Sequence, residues 1–274
     1  MARRIVCNMP ANALTQVFCA LHKDVVKSID EYAASEMGNT YLYSDILTYH
    51  IMRRDGNYQL PRDTQFVESI KTRDAYHMLK PFQIFLFERL ENSVHGEYND
   101  VANDMRTKMA TIEHIMPQTL NKGWKQALGD NWEAIQEKWL HTISNLTLSG
   151  YNYNYSNKSF VEKKTMENGF EQSGLRLNQY IAKFDKWGEE ELEARKIKLS
   201  EMALKIWAYP ITTFVPVQKE DDIVSLSEDN DTCTGRKIQY FIFQGDRQDV
   251  NDWADMMWEM VSKLFVMNPS ILYR

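Results

Sequence analysis

Cysteine is scarce: Cys7, Cys19 and Cys233 are scattered through 274 residues without CxxC spacing. That argues against a disulfide framework and against a cysteine-based zinc site, and it fits a reducing compartment. Long hydrophobic runs are missing as well. No apolar stretch approaches the roughly 20 residues that a bilayer crossing needs. The amino end, MARRIVCNMPANAL, is broken by Asn8, Pro10 and Asn12 before an apolar run of export-signal length develops. The expectation is a cytoplasmic protein with no membrane partner. Internal repeats and low-complexity tracts are absent. So is a GxxxxGK[ST] phosphate loop, which leaves no motif for nucleotide hydrolysis.

What is present is globular in texture, with 43% hydrophobic and 12% aromatic residues, well above what a disordered chain carries. The net charge of −6 is unevenly divided. Residues 211–274 hold 11 acids and 6 bases, whereas residues 1–210 hold 27 and 26. A near-neutral body with an acidic tail neither requires nor excludes a phosphate-rich partner.

Helical periodicity comes first. Leu14, Val17, Leu21, Val25 and Ile29 recur three or four apart. YSDILTYHIMRRD and the stretch from Asp63 to Val94 repeat the pattern, with Pro81 opening a new helix whose Phe82, Phe85 and Phe87 are expected inside. The polar NDVANDMRTKM suggests a domain boundary near Asp104. Residues 111–160 then read as two brief strands and loops around one helix, NWEAIQEKWLHT, with Trp132, Ile135 and Trp139 on one face. Further helices are expected from about Asn157 and, acidic in its first turn, in WGEEELEARKIKLSEMALKIW. After Pro210 come an acidic linker, the apolar run KIQYFIF, a Gly-Asp turn and a Trp- and Met-rich helix.

One stretch carries chemistry. In TIEHIMPQTL an acid and an imidazole, Glu113 and His114, end a short apolar run that Pro117 turns into a loop. Asn145 follows on the second strand, and Asn152 lies at its exit. Hydrolysing a phosphodiester needs a nucleophilic water, charge compensation on the phosphate and help for the leaving oxygen. His114 can take a proton near neutral pH, Glu113 can bind a hard divalent cation, and Asn152 can add a neutral oxygen ligand. Asn154 and Asn157 are alternatives for that last role. Lys158, Lys163 and Lys164 are candidates for phosphate contact. The remaining histidines, His22, His50, His77, His95 and His141, lack ligand spacing and receive no catalytic role.

The set TIEHIMPQTL, HTISNLTLSGYNYNYSNKSFVEKK resembles an HNH nuclease, and more specifically the nuclease half of GmrSD-type, modification-dependent restriction enzymes, from about RRIVCNMPANAL to LKIWAYP. The resemblance implies a ββα-metal core that uses Mg²⁺ or Mn²⁺ to cut DNA, with Asn145 on the strand beside His114 and placed to orient its ring. The fold class expected is mainly α (α+β). Residues 1–104 would form a helical domain, 105–210 the nuclease core and its carboxy-terminal helix, and 211–274 an acidic linker and a small α/β tail. The nucleotide-hydrolysing half that usually accompanies this core, with its DGQQR-like signature, has no counterpart here. A partner domain or subunit is therefore expected. The alternative is a catalytically silent interaction module that retains the nuclease scaffold.

Overall fold

The computed structural model describes residues 1–10, 12–34, 41–94, 96–217 and 237–268. His95, Cys233 and almost all of the acidic linker lie outside the described residues. The chain divides into two compact units, Met1–Val217 and Gln218–Arg274. It is mainly α with two small sheets. No described helix is long and apolar enough to cross a membrane.

The first unit opens with α1 (Ala2–Val6), α2 (Ala13–Ala33) and α3 (Tyr43–Met52). Val17, Leu21 and Val25 of α2 are buried as their spacing predicts, while Ile29 is exposed. The two arginines of the amino end hold this region together. Arg3 donates to the Pro61 and Trp207 carbonyls and pairs with Asp63, and Arg4 donates to the Asn57 and Gln59 carbonyls. Helices α4 (Asp63–Thr72) and α5 (Lys80–Glu91) follow, and Pro81 sits in the first turn of α5, where its missing N–H costs nothing. Phe87 is fully buried, but Phe85 is exposed, because a helix turns only part of its surface inward.

The expected boundary near Asp104 falls inside α6 (Val101–Thr107). Val101 and Met105 on this helix share a core with Phe66, Leu146, Leu148 and Leu199, so the packing runs through that point. Residues 211–217 also belong to the first unit: Phe214 packs with Val25 and Ile46, and Thr212 donates to the Asp45 carbonyl. That contact moves the break from Pro210 to Val217.

The two strands β1 (Thr111–His114) and β2 (Leu146–Ser149) pair antiparallel, with Glu113 opposite Thr147 and His114 opposite Leu146. Two helices rather than one lie between them, α7 (Lys122–Leu128) and α8 (Trp132–Trp139). Asn121 caps α7 through the Trp124 N–H, a signal the sequence reading passed over. After β2, Gly150 approaches so closely that a Cβ would stand 2.7 Å from the Met109 carbonyl oxygen, which makes this exit glycine-only. A one-turn helix α9 (Asn152–Tyr155) then leads to α10 (Phe160–Thr165). Ser159 and Glu162 close a capping box on α10, which places its start three residues after Asn157. Helices α11 (Arg176–Ile181) and α12 (Glu189–Ile206) complete the unit, with three glutamates in the first turn of α12. A second core, including Ile115, Trp124, Trp139, Phe160, Phe170 and Trp187, lies around the end of β1 and α10.

The second unit is a hairpin, β3 (Tyr240–Phe243) and β4 (Asp246–Asp249), followed by α13 (Trp253–Met267). Its turn is Gln244-Gly245, both at positive φ, rather than Gly-Asp; Asp246 already belongs to β4.

Candidate active site

His114 is the last residue of β1, and the chain beyond it is fixed by main-chain and amide hydrogen bonds. The Ile115 N–H donates to the Asn145 carbonyl at 2.9 Å, extending the β1–β2 ladder by one step. Asn145 is completely buried. Its Oδ1 accepts from the Met116 N–H at 2.8 Å, and its Nδ2 donates to the Met116 and Leu140 carbonyls at 2.9 and 3.1 Å. It thus clamps the loop after His114: of the two ways expected for Asn145 to orient the ring, amide or backbone, the amide makes no bond to the imidazole, while the backbone carbonyl holds the residue next to it. An alanine there strands the Met116 N–H and two carbonyls in the core. At roughly 1–3 kcal/mol for each group left unsatisfied, Asn145→Ala should lower the melting temperature by many degrees. Asn145→Asp, which keeps the acceptor but loses both donors, should not restore it, as thermal melts would show.

His114 is 5% exposed. Its Nε2 lies 3.2 Å from His141 Nδ1, its Nδ1 lies 3.4 Å from Gln118 Nε2, and the Tyr76 ring tilts against it at 4.5 Å. Burial first, then the neighbouring His141 and the Lys163 ammonium, push its pKa down to about 4. The ring is therefore uncharged at neutral pH, with a lone pair to accept a proton.

Glu113 is buried beneath it and ion-paired with Lys163, Oε1 to Nζ at 2.6 Å. Lys163 has no exposed surface, and its ammonium also donates to the His114 and Ile115 carbonyls at 2.8 and 3.2 Å. All three of its donors are spent on the end of β1. The expectation that Lys163 meets a phosphate is thus corrected: α10 is so short that its inward face carries no apolar pattern to reveal it. Burial raises the Glu113 carboxyl above its ordinary value, against the pull of Lys163, and burial lowers Lys163. Lys164 is committed as well, to the Phe184 carbonyl at 2.9 Å and to Asp185 and Glu171. Lys158 is exposed, with its ammonium against the Asn154 carbonyl.

Asn152 packs its amide on β1, Nδ2 donating to Thr111 Oγ1 at 2.6 Å and to the Ile112 carbonyl at 2.9 Å. Its Oδ1 is buried and has no hydrogen-bond partner among the described residues. Asn154 and Asn157 are exposed, and the Asn157 carbonyl accepts from Asn121.

Three residues near His114 carry no joint signal in the sequence. Asp74 forms a β-bridge with Thr142, and the Ala75 N–H donates to the His141 carbonyl at 2.8 Å, so the segment before α5 is stitched to the segment before β2. Asp74 caps the His77 N–H at 2.9 Å and pairs with its Nδ1 at 2.8 Å. Burial pushes the Asp74 carboxyl up, but the bonds from His77 outweigh it and hold the pKa below the usual range. His141 stacks on Tyr76 at 5.4 Å and 15° and meets His77 edge-on at 4.6 Å. One ligand atom from each of Asp74, His77 and His141 lies within 4.8 Å of the other two. The Asp-x-x-His spacing of residues 74 and 77 was the one local signal of this group; nothing local links it to His141.

Residues 60–202, just over half of the chain, match the family described as GmrSD restriction endonucleases, C-terminal domain. No curated protein matches the chain. The matched span contains both strands, Asn145, Asn152, α10 and the Asp74–His77 segment, and the chain belongs to this family of restriction endonuclease domains.

Proposed function

We propose that this chain is a divalent-metal-dependent DNA endonuclease with an HNH-type ββα site, acting in the cytoplasm as the nuclease part of a restriction system against modified foreign DNA. A nucleotide-hydrolysing domain or subunit would be its partner. The observation that carries the reading is the buried imidazole of His114 at a strand end, its two nitrogens against His141 and Gln118 and the loop beyond it clamped by Asn145.

In this reading His114 takes the proton from the attacking water, a bond forms between that water oxygen and phosphorus, and the bond to the leaving oxygen breaks. Asn145 and Lys163 act through the main chain, holding the residues on either side of the imidazole. The unpartnered Asn152 Oδ1 fits an oxygen ligand for Mg²⁺ or Mn²⁺, with Glu113 supplying the carboxylate that Lys163 only half occupies and Asn157 the more exposed alternative. When bound, the cation supplies positive charge against the phosphate and acidifies water. Lys158 remains as the exposed phosphate contact of the three lysines.

The pH dependence tests the base directly. Because the folded-state pKa of His114 lies near 4, well under the ordinary imidazole value, the proton-accepting form is already complete at pH 6. The cutting rate should stay level from pH 7 to about 5 and fall only below that. An acid limb centred near 6.5 would mean that an ordinary, solvated histidine does the work. Stability of the metal-free protein should follow the same sign. The unfolded chain binds the proton near 6.5 and the folded one near 4, so stability present above pH 6.5 is lost as pH falls toward 4.

A second reading, a silent interaction module, gains support from the internal commitment of Lys163 and Lys164, which thins the basic surface near the site. It expects DNA to remain uncut in every divalent metal.

A further inference from the structure

We propose that Asp74, His77 and His141 form a binding site for a borderline divalent metal ion of the Mn²⁺-to-Zn²⁺ series, distinct from the oxygen ligands on Glu113 and Asn152. The proposal deepens the nuclease reading and rests on it for what the ion would do, though the binding itself does not.

The three ligand atoms gather within 4.8 Å. What brings them together is independent of their charge. The Asp74–Thr142 bridge and the Ala75 N–H to His141 carbonyl bond are main-chain contacts that fix both segments before any side chain interacts. Stacking on Tyr76 then sets the plane of the His141 ring, and the Asp74 cap on the His77 N–H fixes the turn between those two residues. An Asp-His ion pair accounts for His77 at 2.8 Å from Asp74; His141 meets that pair edge-on, 4.6 Å from the His77 ring, and completes a three-donor set.

The chemistry of the donors selects the ion. Mg²⁺ takes oxygen ligands and keeps much of its water, whereas two imidazoles and one carboxylate suit the later first-row metals. Bonds of about 2.0–2.2 Å bring ligand atoms roughly 3.4 Å apart. Closing from 4.8 Å asks only for rotation of side chains that are 48% exposed at Asp74 and 63% at His77. Glu113, by contrast, has an ammonium 2.6 Å away that a cation there must tolerate. His141 also touches the His114 ring, so an ion at this site lies one side chain from the proposed base.

The test uses the full, untagged chain freed of metal and titrated with Co²⁺ alone, followed by visible absorption and calorimetry. Besides any ion taken by the oxygen ligands on Glu113 and Asn152, one equivalent should bind with a spectrum showing nitrogen ligation, and millimolar Mg²⁺ should not displace it. His77→Ala and Asp74→Asn, both at exposed positions outside the core, should each weaken Co²⁺ binding at least about tenfold. Asn152→Ala should leave the His77-dependent equivalent in place. No stoichiometric binding, equal binding by His77→Ala, or loss in Asn152→Ala alone overturns the site. Plasmid cutting by the wild type in Mg²⁺ is scored separately. Cutting with Co²⁺ binding indifferent to His77 sinks this site and leaves the nuclease reading standing; His77-dependent Co²⁺ binding without cutting in any metal supports the site while the nuclease reading fails.

Discussion

His114→Ala should lower the DNA-cutting rate by about 10²- to 10⁴-fold, the usual worth of a general base. The variant should still fold, since the loop beyond it is held by Asn145 and Lys163, whose bonds go to main-chain atoms that alanine keeps. The imidazole nevertheless fills buried space against Tyr76 and His141, so some loss of thermal stability is expected alongside. The diagnostic quantity is the single-turnover rate at saturating protein and metal, where binding no longer contributes. A rate within twofold of wild type would remove His114 from the chemistry.

Lys163→Met should destabilise the fold by about 3–5 kcal/mol, the cost of breaking a buried ion pair from one side. Glu113 would be left as a buried carboxylate without its partner, and the His114 and Ile115 carbonyls would lose a donor. The double variant Glu113→Gln/Lys163→Met removes the stranded charge and should recover a large part of the loss. The pH dependence has a definite sign. In Lys163→Met, burial without a counter-ion raises the Glu113 pKa above its unfolded value, so the destabilisation should be smaller at pH 5 than at pH 8. Chemical denaturation of the four proteins of this cycle at both pH values measures each term. If Lys163→Met costs under 1 kcal/mol, Lys163 does not brace the site and its assignment as a surface lysine returns.

Some of this was legible in the sequence for plain physical reasons. The helices of the first hundred residues and α12 carry the 3.6-residue period, and Pro81 marks a helix start because no other position in a helix accepts it cheaply. The Glu113–His114 pair stands out because two ionisable residues end an apolar strand just before Pro117. Asn145 and Asn152 flank the second strand, and both lie against β1 or the loop after it. What was not legible has two causes, main-chain contacts between distant segments and helices too short to show a face. A bridge from Asp74 to Thr142 leaves no periodicity in either stretch, so His77 and His141 looked unrelated. Asn145 spends its amide on the Met116 and Leu140 backbone, which any residue type would present. Lys163 sits on a six-residue helix, where two turns are too few to show which side faces in.

Metal-dependent cutting of DNA at the end of β1, as proposed, is open to direct measurement. The most direct measurement is relaxation of supercoiled plasmid by the purified, metal-stripped chain after addition of Mg²⁺ or Mn²⁺. Nicked circles should accumulate with either cation or both, stop on addition of EDTA, resume when metal is restored, and be absent from a His114→Ala preparation purified in parallel. Plasmid that stays supercoiled in every divalent metal, or that is nicked equally by His114→Ala, would contradict the account.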